Sequence, residues 1–353
     1  MMTSNPLMPP IKRSSSSQYR VPSAQFSSLP KIDAIDRKII YELEQNCRRS
    51  LNEIAKNVRV SKQTLHYRIG RLVHEKVITQ FVAILDVSKL GLVNHEVWVQ
   101  LDVLPENKKK QFIDFLIAHN ATRWVASCGG KIDIVFAIAA ENTVKFNSLL
   151  TDILSKYPNY IKNYFVTITL EYLTYPRSHL INKTENDSYS YLGGEPKRVD
   201  LDQIEIGLLK LLSKDARIST VDLAKELEIT ENTVRAKIKR LENDKMIQTY
   251  SAVIQPSLLG LIHFEILATT NNLTKEKEKE IKTYCMLSPY ITYYLKLLGK
   301  YDLDIAFDAL DQEHFQRTLI EFRSKFSDII KDFDFVYVTH VHKFDYFAGF
   351  FEG

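Results

Sequence analysis

The chain has 353 residues, room for roughly two to four domains, and at 45% apolar and 25% charged, with 18 Phe and 18 Tyr, it has the makeup of a folded globular protein. Its 11 glycines leave little material for glycine-rich phosphate loops, and Cys47, Cys128 and Cys285 stand at unrelated spacings that suggest neither a disulfide framework nor a zinc cluster. No apolar run nears the roughly 20 residues of a membrane span, so a soluble protein of the reducing cytoplasm is expected. Net charge is +4 and concentrated early: residues 1–31 carry four Lys/Arg and no acid, and residues 32–80 carry ten basic against six acidic, a distribution suited to a polyanion.

In chain order, residues 1–31 read as a basic Ser/Pro-rich disordered tail around Ser14-Ser15-Ser16-Ser17. From Ile35 to His74 apolar residues recur at helical spacing: Ile35, Ile39, Ile40 and Leu43; then Leu51, Ile54, Ala55 and Val58; then Leu65, Ile69 and Leu72. Three short helices are predicted, with Ser50 and Ser61 as N-caps, and Val58-Arg59-Val60 joins the last two at helix-turn-helix spacing. After Ile78 the pattern turns to strands at 81–85, 97–103, 124–127, 132–139 and 164–172, with helices at 108–119 and 144–156. Setting aside the bridging strand at 81–85, this is the split βαβ, ferredoxin-like order.

Residues 174–199 read as a mobile linker, polar from Asn182 to Pro196 with a Gly193-Gly194 pair. Beyond it the chain repeats itself at a constant offset of 169: between Asp36 and Leu92, 16 of 57 aligned positions are identical without a gap. Ser219 and Thr230 take the N-cap places of the second copy. The predicted fold class is α+β, two copies of a three-helix helix-turn-helix domain followed by a ferredoxin-like βαββαβ domain. Its boundaries are 32–80 and 81–173 in the first copy, 200–249 and 250–353 in the second.

With Leu65, Ile69 and Leu72 packed inward, the third helix turns Ser61, Lys62, Gln63, His66, Tyr67, Gly70 and Arg71 to solvent. The second copy buries Val234, Ile238 and Leu241 and exposes Thr230, Glu231, Asn232, Arg235, Ala236, Lys239 and Arg240. Arg, Lys, Gln and Asn suit base edges in the major groove, and a Ser or Thr at a helix start suits phosphate. Double-stranded DNA is therefore the expected partner, with Arg71 and Arg240 the first choices for contact. Glu226, Glu228 and Glu231 near the second helix start repel phosphate, so Arg71→Ala should cost more DNA affinity than Arg240→Ala.

A helix-turn-helix, a bridging strand and a βαββαβ domain with a Gly-x-x-Asp turn resembles the Lrp/AsnC family of transcriptional regulators. The matching residues run from Ile35-Asp36 to Gly91 with Gly130-Lys131-Ile132-Asp133, and again from Ile204-Glu205 to Gly260 with Gly299-Lys300-Tyr301-Asp302. The resemblance implies self-association through the βαββαβ domains and a small effector, commonly an amino acid, with Gly130, Asp133, Gly299 and Asp302 as effector-responsive positions. The same four residues are also ordinary turn formers. The chain departs from the family in joining two units end to end: one chain could be its own pseudo-dimer, with unlike heads reading unequal half-sites. The second Gly-x-x-Asp turn also carries Tyr301 where the first has Ile132.

Other chemistries are thinner. His340 and His342 share a strand face without a third ligand nearby, Cys128 has no assignable base, and no cofactor or metal is expected. Phe344, Tyr346, Phe347, Phe350 and Phe351 form a cluster without a counterpart in the first unit, expected to cover a sheet edge or dock on a partner. Siroheme decarboxylases of haem biosynthesis share the two-domain architecture but carry a histidine-containing stretch in the sheet. Here Trp124 to Cys128 and Tyr293 to Leu297 have none, so the expectation is a regulator and not an enzyme. An architectural DNA-wrapping protein is a third reading.

Overall fold

Each head begins with a helix whose start is fixed by its own carboxylates. In the computed structural model, which describes residues 29–271, 273–348 and 350, Asp33 caps α1 (Ala34–Asn46) in a capping box with Asp36. Asp202 and Glu205 repeat that box at the start of α6 (Gln203–Lys214). The predicted tail lies almost wholly outside the described residues, as does Phe351. Ser50 and Ser61 cap α2 (Leu51–Val58) and α3 (Lys62–His74), and Ser219 and Thr230 cap α7 (Thr220–Glu226) and α8 (Glu231–Asn243), where the sequence places them. Between α2 and α3 the chain reverses through Arg59 at φ 64°, and Glu228 at φ 53° does the same in the second head.

The strand β1 (Ile78–Leu85) leaves the first head and pairs antiparallel with its counterpart β7 (Ile247–Ile254), with Val82 opposite Ser251 at the middle. Head-to-head contact is therefore made within one chain. Two arginines 169 residues apart lock it reciprocally. Arg48 Nη1 donates to the carbonyls of Ala216 (2.6 Å) and Ile218 (3.0 Å), and Arg217 Nη1 donates to the carbonyl of Cys47 at 2.7 Å. Their guanidinium groups lie over Tyr250 and Phe81, respectively.

The first unit continues with β2 (Val93–Leu101), α4 (Glu106–Ala118), β3 (Thr122–Gly129), β4 (Ile134–Ala140), α5 (Thr143–Ser155) and β5 (Ile161–Thr174). The second has β8 (Ile262–Thr270), α9 (Lys275–Leu287), β9 (Ile291–Gly299), β10 (Leu303–Ala309), α10 (Gln312–Lys325) and β11 (Ile330–Phe344). The strand–helix order is the expected one. The two sheets do not stay separate, however. β5 pairs first with β2 of its own unit and then with β9 of the other, while β11 pairs first with β8 and then crosses to β3. Eight strands thus close on themselves, which removes the free edges of both sheets.

Alternation along the strands separates outside from inside. Val97 and Val99 of β2 pack with Phe112 and Leu116 of α4, and Ile305 and Phe307 of β10 with Phe315 and Phe322 of α10. The intervening residues fill the interior, where Trp98, Ala126, Cys128, Leu267, Leu295 and Leu297 form one cluster.

Residues 174–199 are not the mobile linker their polar composition suggests. β6 (Ser190–Gly193) extends the sheet beside β5, and Asn186 donates from its amide to the carbonyl of Ser288 at 2.8 Å. Arg177 forms ion pairs with Glu44 and Asp308. The C-terminal aromatics also turn inward: Tyr346 and Phe347 are buried in the main core with Phe344 and Phe350 packed against it, so they cover their own chain.

Candidate nucleic-acid interface and central cavity

Each reading helix is held by ion pairs to the first helix of its head. In α3, Arg68 Nη1 pairs with Asp36 Oδ1 and with Asp33 Oδ2, both at 2.8 Å, and Arg71 Nη2 pairs with Asp36 Oδ2 at 2.5 Å. Asp36 is buried, its side chain only 1% exposed. The second head repeats this with Lys237 on Asp202 and Arg240 Nη1 on Glu205 Oε1 at 2.9 Å. Arg240 also reaches Asp244 at 3.5 Å and the carbonyl of Asp200. Arg71 is thus largely covered on Asp36, whereas Arg240, paired with Glu205 and Asp244, keeps half of its side chain exposed. They lie on the flank that faces α1 or α6, where a buried carboxylate claims the guanidinium group.

The outward face remains open. Ser61, Lys62, Gln63, His66 and Tyr67 are exposed on α3, Tyr67 at 71%. On α8 so are Thr230, Asn232, Arg235 and Lys239, with Arg235 loosely paired to Glu231 at 3.2 Å. The capping hydroxyls of Ser61 and Thr230 bond to Thr64 and Thr233. Gln63, Tyr67, Asn232 and Ala236, at the centre of the two faces, are exposed among the described residues.

The Gly-x-x-Asp turns are built the same way in both units. Gly130 at φ 107° and Gly299 at φ 145° adopt backbone that L side chains rarely enter. Asp133 Oδ2 accepts from the backbone of Leu101 at 2.8 Å, and Asp302 Oδ2 from that of Thr270 at 2.6 Å, so each carboxylate ties off the end of a neighbouring strand. These four residues stand apart from the main cavity.

That cavity, of about 340 Å³, lies between the β1/β7 ribbon and the closed sheet. Val82 and Ile84 of β1 and Ala252 and Ile254 of β7 line its head side, and Glu96, Thr169, Tyr172 and Tyr293 its sheet side. Burial, with Glu265 nearby, pushes Glu96 up to about 7. Burial likewise raises Glu265 and Asp304, the latter further through Glu265 and Glu96. His263 of β8 lines the cavity too, its Nδ1 2.7 Å from Asp308 Oδ1. The histidine-free strands singled out in the sequence are therefore not the whole wall. The signal missed was the fold's bringing β8 beside the ribbon, which strand composition does not reveal.

Elsewhere, His340 and His342 do share a face, with ring centroids 4.6 Å apart, but His342 Nε2 is 2.8 Å from Ser127 Oγ, and burial, with His340 beside it, takes His342 down to about 4. Among the described residues no group of three or more His, Cys, Asp or Glu is placed to hold a metal ion. Cys128 is buried and its thiol is pushed up by that burial, which leaves it a core residue. No helix among the described residues is long and apolar enough to cross a membrane.

Residues 32–73 match the AsnC-type helix-turn-helix domain and residues 201–248 a winged helix-turn-helix DNA-binding domain. An HTH-type transcriptional regulator of Pyrococcus horikoshii is 27% identical over 151 residues, 42% of this chain and 93% of the relative, the proportion expected of one unit in a two-unit chain. The leucine-responsive regulatory protein of Escherichia coli is 32% identical over 108 residues, 28% of this chain and 66% of the relative. Among solved structures, the siroheme decarboxylase NirDL superposes at a TM-score of 0.57 with 13% identity, covering 90% of this chain and 94% of its own, a likeness of fold. With its two helix-turn-helix heads on a shared α+β body, the chain is similar to HTH-type transcriptional regulators of the Lrp/AsnC kind, one unit of it matching nearly the whole length of such a relative.

Proposed function

We propose that this protein is a cytoplasmic, non-enzymatic regulator that grips one double-stranded DNA site with both heads of a single chain. The observation that carries this reading is the reciprocal lock of Arg48 and Arg217 across the β1/β7 ribbon, which sets α3 and α8 at one fixed relation. Ser61, Lys62, Gln63, His66 and Tyr67 read one half-site, and Thr230, Asn232, Arg235 and Lys239 the other. Arg71 and Arg240 hold the reading helices in place. Because Gln63-His66-Tyr67 and Asn232-Arg235-Ala236 present different donors and acceptors, the two half-sites differ in sequence. The first head carries the larger electrostatic share, because Glu231 sits at the start of α8.

A small effector, such as an amino acid, modulates binding, in keeping with a relative named as leucine-responsive. Gly130, Asp133, Gly299 and Asp302 are the family's positions for that response, and self-association would proceed through the βαββαβ faces. The test is a footprint on a bound genomic fragment. Tyr67→Ala should erase protection on one half-site and Arg235→Ala on the other, whereas loss of both halves with either variant contradicts separate reading.

A second reading, a decarboxylase of siroheme type, is favoured by one observation: His263 and buried polar groups line a central cavity in a fold matched along 90% of the chain. Incubation with siroheme, followed by mass spectrometry for loss of carboxyl groups, separates the two.

A further inference from the structure

The central cavity holds two buried arginines in opposite states. Arg177 is matched twice: Nη1 pairs with Glu44 Oε1, and Nε with Asp308 Oδ2 at 2.6 Å. Arg123, only 7% exposed, has no carboxylate at ion-pair distance among the described residues, and its Nε has no hydrogen-bond partner. Its Nη1 donates to Asn94 Oδ1 at 3.0 Å, and its guanidinium carbon lies 5.5 Å from the ring centre of Tyr346. Asp345 and Asp86 favour its charge only from beyond ion-pair distance, and a buried cation without an anion at contact is costly, whereas Arg177 has two carboxylates on it.

From Arg123 a polar line follows the cavity wall. Asn94 Nδ2 donates to Thr169 Oγ1 at 3.0 Å, and Thr169 Oγ1 donates to Glu96 Oε1 at 3.2 Å. The remaining wall is largely apolar, with Val82, Ile84, Leu192, Leu295, Val338 and Val341. One arginine with no carboxylate at contact, one polar edge and a mostly apolar hollow of about 340 Å³ match a small organic acid with an apolar body, the other arginine and the wall's Glu44 being already paired with each other.

We propose that the cavity is a ligand site for such a carboxylate, its oxygens on Arg123 and its apolar body against the β1/β7 ribbon. The site is one-sided: the position equivalent to Arg123 in the second unit is Thr292. Since the ribbon carries both heads, occupancy changes DNA affinity, and DNA changes ligand affinity by the same factor. This coupling rests on the regulator reading, whereas the site itself does not.

The test uses the full chain with hexanoate and 3-phenylpropanoate, each beside its uncharged amide, read by calorimetry and by the shift in Tm. At least one acid should bind and raise Tm while its amide does not, and Arg123→Met should weaken that acid about tenfold or more. Without ligand, Arg123→Met should melt no lower than the wild type, because it removes an unpaired buried charge. Should it fail to fold, Ala252→Leu narrows the cavity from the ribbon side and should weaken binding in its place. Equal binding of acid and amide, undiminished binding in the variant, or no response to either acid overturns the site. Ligand binding that leaves the affinity for a bound genomic fragment unchanged overturns the coupling alone.

Discussion

Asp36 shows how a residue that looks like a surface carboxylate governs a reading head. Buried between Arg68 and Arg71, it fixes α3 against α1. Arg71→Ala would leave it half-compensated and should cost about 2 kcal/mol of stability. Thermal unfolding should show a lower Tm, while Tyr67→Ala leaves Tm unchanged and loses DNA affinity; the reverse pattern would restore Arg71 as a base contact. Lys62→Ala should lower the slope of log affinity against log salt by about 0.9, the loss of one phosphate contact. Inside the closed sheet, Glu96 illustrates the opposite economy. Its carboxyl is raised from the usual range to about 7, so the folded state holds the proton more tightly than the unfolded chain. The resulting stabilisation is complete below about pH 4.5 and lost as pH rises through 7. Glu96→Gln should flatten that fall and raise stability at pH 8 by about 3 kcal/mol, seen in urea titrations across pH. A pH profile identical to the wild type would show Glu96 to be solvated.

Among the elements, the helices and most strands were legible because their signals are local. Caps at Ser50, Ser61, Ser219 and Thr230 and the spacing of Leu65, Ile69 and Leu72 require no knowledge of the rest of the chain. What stayed hidden was pairing between distant segments. Nothing in the composition of β5 or β11 tells that each leaves its own sheet for the other unit, and polar residues 182–196 read as mobile until β6 is seen beside β5. The ion pair of Arg71 with Asp36 is hidden from the sequence for the same reason: a helical wheel shows what points away from the core, not which neighbouring helix waits there. The repeated pairing of Asp33/Asp36 with Arg68/Arg71, and of Asp202/Glu205 with Lys237/Arg240, was the available clue. Arg123 gave none. The reciprocal arginines belong to this scale as well. Arg48→Ala with Arg217→Ala removes three backbone contacts between the heads and should cost roughly 2–4 kcal/mol. It should also widen the range of half-site spacings recovered from random DNA, and an unchanged single spacing would mean that the ribbon alone sets the heads.

At the scale of the whole molecule, joining two units end to end converts a symmetric design into an asymmetric one. The heads stand at a fixed one-to-one ratio, the strands close a shared body, and the cavity has one matched arginine and one unmatched. A two-fold symmetric dimer must present the same residues twice, whereas this chain presents Gln63-His66-Tyr67 beside Asn232-Arg235-Ala236. The measurement that tests this most directly is selection of bound fragments from total genomic DNA by the purified full chain near physiological salt, followed by sequencing. The account predicts one enriched motif with two dissimilar half-sites at a single spacing. A perfect palindrome, variable spacing, or uniform recovery without a motif would contradict it.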